Sequence, residues 1–243
     1  MQRPFLSIII PAYNEESRLP DTLTTVGAFL DKQVYSSEVW IVDNNSTDRT
    51  SEVIREFCTR FSNFQGLFEG QPGKGAAVKC GMLQAQGEFL FMCDADLSMP
   101  IKEVNKFLPP QLEGVEIAIA SREAAGAVRY NEPLFRHLGG RLMNFLIQLF
   151  ALPGLNDTQC GFKCFSAGAA KDLFQHQRLT GWSFDIELLW IARSRGYTIK
   201  EIPIPWTYHL ESKVNALRDA IKILLDIRTI RQNAKQGLYD TEN

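Results

Sequence analysis

Phe89-Leu90-Phe91-Met92-Cys93-Asp94-Ala95-Asp96-Leu97-Ser98 runs from four apolar residues into a pair of carboxylates. A short unbroken apolar run suits a strand buried on both faces. In an extended strand, side chains two apart point the same way. The spacing therefore predicts that Asp94 and Asp96 present their carboxylates together where the strand runs out. Such a pair repels itself unless protons or a cation intervene. Hard oxygen ligands suit Mg²⁺ or Mn²⁺, ions that complete their shells with substrate phosphates. The stretch reads as a metal–diphosphate site, although alone a solvated turn fits it equally well.

The same strand pattern recurs on both sides. Strands are expected at 5–10, 38–43, 64–69, 88–94 and 115–121, with helices at 15–31, 48–61, 75–86 and 101–108 between them. Ser46 or Thr47 is the expected cap of the second helix. This alternation predicts an α/β fold, a mostly parallel central sheet flanked by helices. Ligands of such sheets sit outside the carboxyl ends of the strands, where Asp43 and Asp94 both fall. The second half is less regular: a strongly apolar helix at 133–153, a strand at 158–166, an amphipathic helix at 184–195, a strand at 198–203 and a long basic helix at 214–234.

Bulk composition narrows the classes. The chain has 243 residues, 45% of them hydrophobic, enough for one packed domain with an appendage. A net charge of -2 gives no global basic field for nucleic acid. The five cysteines are scattered without zinc-finger spacing, as expected for reduced thiols in a cytoplasmic protein. The apolar run at 6–10 is too short for a signal-peptide core, and no uncharged apolar stretch reaches the roughly 18 residues of a spanning helix. The expectation is peripheral contact with a membrane surface. The 134–152 segment is apolar but carries Arg136 and Arg141, and over 213–235 Lys213, Arg218, Lys222, Arg228, Arg231 and Lys235 face only Asp219 and Asp226. A basic amphipathic helix suits anionic lipids, and an ordinary docked helix suits the pattern equally.

Several loops carry candidate chemistry. Pro11-Ala12-Tyr13-Asn14-Glu15-Glu16 follows the first strand, and Tyr13 offers a ring to frame a nucleotide base. In Asp43-Asn44-Asn45-Ser46-Thr47-Asp48, Asp43 can accept the N3–H of uracil, while Asp48 reads as a helix cap. Gly73-Lys74-Gly75 opens a helix, and its glycines let backbone N–H groups approach an anion beside the Lys74 charge. The spacing is neither a P-loop nor a dinucleotide fingerprint. In 156–163, Asp157 can orient a nucleophile or hold a sugar hydroxyl. Asp185 and Glu187 open a helix, where acids favour the dipole, bind acceptor or sugar groups, or shape the site from behind. Ser212 and Lys213 end a loop able to close over a diphosphate. His209 reads as incidental.

Together these segments resemble the glycosyltransferase family 2 enzymes of GT-A fold, in particular the polyprenyl-phosphate hexosyltransferase group and its dolichyl-phosphate glucosyltransferases. The matching pieces are 8–16, 42–48, 73–75, 94–96, 154–163, 184–189, Trp206 and 212–213, with 154–163 the most specific. The resemblance implies a catalytic domain over 1–212, with 134–152 an interfacial helix, and a basic amphipathic helix and tail over 213–243. It implies a UDP-sugar donor with Pro11, Tyr13, Glu15 and Asp43 around the nucleoside, and Lys74 near the phosphates. Asp94 would help hold ribose or metal-bound diphosphate, and Asp96 would be the main ligand of Mg²⁺ or Mn²⁺. Arg122, Arg136 and Lys213 would balance donor and acceptor phosphates, and Asp157 would position the reactants. Ser98 stands where relatives can carry a Gln ligand. Many relatives have carboxy-terminal spanning helices, so here contact at the inner face of the membrane is expected to be peripheral or supplied by a partner.

The implied reaction is inverting transfer of a hexose, glucose first, to a dolichyl or undecaprenyl phosphate. A GDP-mannose-dependent mannosyltransferase and a non-catalytic nucleotide-sugar-binding module at the membrane surface are the alternatives.

Overall fold

A computed structural model describes residues 3–208 and 216–240. Its centre is a seven-stranded sheet in the order β3-β2-β1-β4-β7-β5-β8. The strands are β1 (Leu6–Ala12), β2 (Ser37–Asp43), β3 (Phe64–Phe68), β4 (Phe89–Cys93), β5 (Ile117–Ser121), β7 (Phe162–Ser166) and β8 (Ile199–Pro203). β1 is paired in parallel with both β2 and β4, and β2 with β3. β7 runs antiparallel between β4 and β5, and β5 is parallel to β8. Two short strands, β6 (Val128–Tyr130) and β9 (Pro205–Thr207), form a separate parallel pair.

The period of two along each strand divides the core between the faces of the sheet. Ile8, Ile10, Phe91 and Cys93 face one layer, Ile9, Leu90 and Met92 the other. The first layer is closed by α1 (Leu19–Leu30), α2 (Thr50–Arg60) and a 3₁₀ helix at Ile101–Phe107. Within it Phe91, Phe107 and Phe162 meet edge to face, 4.4 to 5.5 Å between ring centres. The second layer is closed by α3 (Lys74–Gln84), α5 (Ala167–His176), α6 (Phe184–Ser194), the end of α4 (Leu134–Phe150) and α7 (Ala216–Lys235). Pro20 sits in the first turn of α1, where its missing N–H costs nothing.

This topology gathers one edge. β1, β2, β4 and β5 all end there. The antiparallel β7 begins there, with Phe162 opposite Cys93, so the 156–161 loop lies beside Asp94. α3 and α6 precede parallel strands and therefore start at the same edge.

Three expectations change. The segment at 101–107 is a 3₁₀ helix, and the 158–166 strand is only Phe162–Ser166 because 157–161 form the site loop. Neither Ser46 nor Thr47 caps α2: Asp48 Oδ1 takes the Thr50 N–H at 3.0 Å. β6, β9 and α5 were not expected. The two strands have three residues each and α5 follows β7 directly, so none has an isolated periodic signal.

Candidate active site

Asp94 and Asp96 are not strand residues. β4 stops at Cys93, and Asp94–Leu97 turn back, with the Leu97 N–H donated to the Asp94 carbonyl at 3.3 Å and Leu97 at φ 45°. A tight turn, not strand alternation, sets the two carboxylates. The Asp94 carboxylate lies against backbone: a Cβ on Gly161 would fall 1.7 Å from Asp94 Oδ2. Gly161 also accepts the Asp94 N–H at 3.2 Å. The Ser98 N–H holds Asp96 Oδ1 at 2.9 Å.

Lys74, the first residue of α3, reaches Asp94 Oδ1 at 2.5 Å and lies 5.0 Å from the centre of the Trp182 ring. Burial disfavours its charge, but Asp94, Asp185 and Asp96 together raise its pKa above the ordinary value. Gly73 does something other than expected. Gly73 has φ 127°, its N–H goes to Asn44 Oδ1 at 2.8 Å, and a Cβ there would meet the Thr180 carbonyl at 2.2 Å. These contacts make it a packing glycine against the 179–181 turn, and its N–H is not offered to an anion.

Arg122 follows β5, and Asp157 lies in the loop before β7. Asp157 is fully buried and gives both oxygens to Arg122: Nε to Oδ2 at 2.6 Å, Nη2 to Oδ1 at 2.8 Å, and the Arg122 backbone N–H to Oδ2 at 2.9 Å. Burial presses the Asp157 carboxyl upward, but the Arg122 guanidinium outweighs it and leaves the pKa below the ordinary value. Buried and turned toward Arg122, Asp157 makes its contacts with that residue, as a positioning group would. It orients Arg122, whose guanidinium also lies 5.4 Å from the Trp206 ring centre. The loop itself is fixed by Glu201 of β8, which accepts the backbone N–H groups of Asn156 and Asp157 at 2.9 to 3.0 Å.

Around the ends of β1 and β2, Pro11 is half-buried, Tyr13 is exposed, and Glu15 forks onto Arg18 at 2.8 and 2.9 Å. Asp43 is buried. Its Oδ1 accepts the Ser46 N–H at 3.0 Å and its Oδ2 the Ser51 hydroxyl. Each oxygen keeps a second lone pair. Arg136 of α4 lies 5.2 Å from the Tyr208 ring centre, on the Trp206 side of the site. Lys213, Ser212 and His209 lie outside the described residues.

The two acids that open α6 support the site from behind. Asp185 pairs with Lys163 at 2.8 Å, both fully buried, and burial keeps its carboxyl raised despite the cation. Glu187 accepts the N–H groups of Arg178 and Leu179 and the Tyr239 hydroxyl, the last at 2.6 Å. Lys163, Trp182 and Arg129 had no assigned role in the sequence reading. Only a lysine in an otherwise apolar strand, Phe162-Lys163-Cys164-Phe165, signalled the buried pair.

Residues 7–174 match the sequence profile of glycosyl transferase family 2. The chain belongs to glycosyl transferase family 2. It is 34% identical over 241 residues to a dolichyl-phosphate beta-glucosyltransferase of Trichomonas vaginalis, covering 93% of this chain and 72% of that protein. The human dolichyl-phosphate beta-glucosyltransferase is 32% identical, with 98% and 78% covered. Among solved structures, the family 2 chain superposes on glucosyl-3-phosphoglycerate synthase from Mycobacterium tuberculosis in complex with UDP, with a TM-score of 0.67 at 16% identity, covering 93% and 80% of the two chains. The same enzyme with Mn²⁺, UDP and glucosyl-3-phosphoglycerate gives 0.67 at 17% identity, covering 92% and 80%. This likeness identifies the fold as GT-A.

The donor set of the family 2 chain suits a divalent ion that shares its shell with a diphosphate. The acids are oxygen ligands, and among the described residues no three His, Cys, Asp or Glu side chains cluster as a self-sufficient metal cage. Mg²⁺ and similar ions characteristically take one or two carboxylates plus substrate phosphates.

Proposed function

We propose that this enzyme transfers glucose from UDP-glucose to dolichyl phosphate, or a closely related polyprenyl phosphate, with inversion at the anomeric carbon. The observation that carries the reading is the pairing of two charge systems at one sheet edge. One is the Asp94/Asp96 turn with Lys74, on the donor side. The other is Arg122, locked by Asp157, with Arg136 beyond it on the acceptor side. Relatives named as dolichyl-phosphate beta-glucosyltransferases support the choice of sugar and lipid.

Asp43 and the Tyr13 loop frame the nucleoside. Asp96 would hold Mg²⁺ or Mn²⁺, with Asp94 as its neighbour. The bound ion supplies electrostatic stabilisation of the departing diphosphate. The structural neighbour's Mn²⁺ and UDP support this choice. Lys74 gives the same region a fixed positive charge.

A lipid monophosphate has a second pKa of about 6, so at neutral pH it is already an oxyanion and needs no general base. That chemistry agrees with Asp157 being spent on Arg122. Arg122 and Arg136 screen the repulsion between acceptor and donor phosphates, and the acceptor oxygen attacks the anomeric carbon opposite the departing UDP.

The acceptor is membrane-borne, and among the described residues no helix is long and apolar enough to cross a membrane. α4 instead exposes Leu134, Leu138, Leu142, Phe145 and Leu149. Their spacing of three and four places them on one stripe. We assign this stripe to contact with the cytoplasmic surface of the membrane, where it would bring Arg136 to the lipid phosphate.

The deciding experiment supplies radiolabelled UDP-glucose or GDP-mannose to the protein with dolichyl phosphate, with and without Mn²⁺. Label from UDP-glucose should enter the organic phase only with metal, and not with Asp96→Ala. Label from GDP-mannose alone would move the assignment to the mannosyltransferase. UDP binding without any lipid product would make the protein a binding module.

A further inference from the structure

The outward stripe of α7 changes chemistry part-way along. Ile221, Leu224 and Leu225 are exposed, and one to three turns on the same face carries Arg228, Arg231 and Lys235, also exposed. These positions follow helical spacing. The opposite face, with Ile223, Ile227 and Ile230, is buried in the core. The change falls where α7 passes the last turn of α4. A groove of 310 Å³ opens there, with Phe150, Leu224 and Ile227 as its apolar wall and Arg228, Arg231 and Lys235 among its lining. Among the described residues no carboxylate lines it. Asp226, on the same helix, points away and accepts the Ser183 hydroxyl at 2.5 Å. Arg231 is steadied 5.9 Å from the Trp190 ring centre.

We propose that this α4–α7 groove binds the headgroup of an anionic phospholipid, at a site separate from the Arg122–Arg136 pair. Charge complementarity and continuity point to a lipid. Three cations with no counter-ion among the described residues suit a phosphodiester, and apolar residues beside them suit the start of an acyl chain. The cationic stretch also continues the apolar stripe of the same helix. Basic side chains near an anionic bilayer each add attraction, and apolar area adds to it. α7 would then lie obliquely, its amino-terminal half against acyl chains and its carboxy-terminal half among headgroups. The inference rests on the membrane-docking part of the proposed function, and it adds a lipid-class requirement that the acceptor alone does not impose.

The test is flotation of the full chain with vesicles of phosphatidylcholine alone or with phosphatidylglycerol. A triple variant, Arg228→Gln, Arg231→Gln and Lys235→Gln, is compared with a charge-matched control, Arg55→Gln, Lys102→Gln and Lys171→Gln, drawn from exposed cations elsewhere. Wild type should prefer anionic vesicles, and the groove variant should lose about 100-fold in that binding, the sum of three surface cations. The control should lose much less. UDP binding should be unchanged in all three, which verifies the fold. Inorganic phosphate at millimolar concentration should not displace the vesicles. Equal losses in variant and control, no preference by wild type, or displacement by free phosphate would each overturn the site. Glucosyl transfer assayed in the same vesicles separates the two readings: transfer with no anionic preference sinks only the groove, and anionic preference with no transfer sinks only the reaction.

Discussion

Asp157 exists in this fold to hold Arg122: it is completely buried, and all its polar contacts with that residue point one way, from guanidinium and backbone N–H into carboxylate. Breaking a buried pair by removing one charge typically costs about 3–5 kcal/mol. Arg122 retains some contact with solvent, so Asp157→Asn should fall toward the lower end of that range. The pH dependence has a definite sign. The folded pKa of Asp157 is depressed below its unfolded value. Its stabilisation is therefore fully present above the ordinary carboxylate range and is lost as pH falls through the lower folded value. Denaturant midpoints measured from neutral pH downward should fall less steeply for Asp157→Asn than for wild type. An unchanged acid limb would show that the carboxylate contributes no such linkage.

Lys74 and a divalent ion both want Asp94. The ammonium stands 2.5 Å from Oδ1 and 5.0 Å from the centre of the Trp182 ring. Lys74→Met should thus move two quantities in opposite directions. Affinity for Mn²⁺ without nucleotide should rise about tenfold, because an opposing charge within contact distance no longer occupies the ligand. Turnover should fall if Lys74 serves the diphosphate as proposed, because that group then loses a fixed cation. Calorimetric titration of Mn²⁺ with and without UDP reads the first, and steady-state transfer the second. Metal affinity that drops along with turnover would contradict this competition.

Gly161 is the tightest contact in the site. A methyl group there overlaps the Asp94 carboxylate at 1.7 Å and must displace it, since the other partner is main chain. Displacements of that order in positioned groups cost about 100-fold in rate. Gly161→Ala should lose about that much kcat/KM with UDP-glucose while its thermal midpoint moves by only a few degrees. Serine should behave like alanine. Activity near wild type in both would mean that Asp94 need not hold its present place.

Much of this was legible in the sequence, for identifiable reasons. β1, β2 and β4 are buried on both sides, so their unbroken apolar runs announce a parallel sheet, and the acids that follow them mark its functional edge. The 154–163 stretch announced a site loop. What could not be read was who pairs with whom. Asp157 and Arg122 are 35 residues apart, and β7's antiparallel course, which joins them, leaves no local pattern. Asp94 and Asp96 were placed by strand alternation although a turn holds them. The Gly73-Lys74-Gly75 glycines looked like anion donors, yet the tertiary contact with Thr180 explains Gly73.

Arg129 is the clearest case of a residue with no motif and a defined geometric role. From β6, 15% exposed, it donates Nε to the Arg122 carbonyl at 3.1 Å, Nη1 to Glu132 at 2.7 Å and Nη2 to Glu123. Glu132 in turn contacts His137 Nδ1 at 3.1 Å in the first turn of α4. One guanidinium therefore ties the backbone of Arg122 to the start of the helix that bears Arg136 and the apolar stripe. It thereby positions both cations proposed above for the acceptor side. A lysine keeps the charge but cannot make three directed bonds, so Arg129→Lys should resemble Arg129→Gln more than wild type. Both should raise KM for the polyprenyl phosphate about tenfold, with KM for UDP-glucose nearly unchanged, because a slack clamp weakens one substrate only. A purely structural role would instead degrade both constants and UDP binding together, and full rescue by lysine would reduce Arg129 to a mere counter-charge for Glu123 and Glu132.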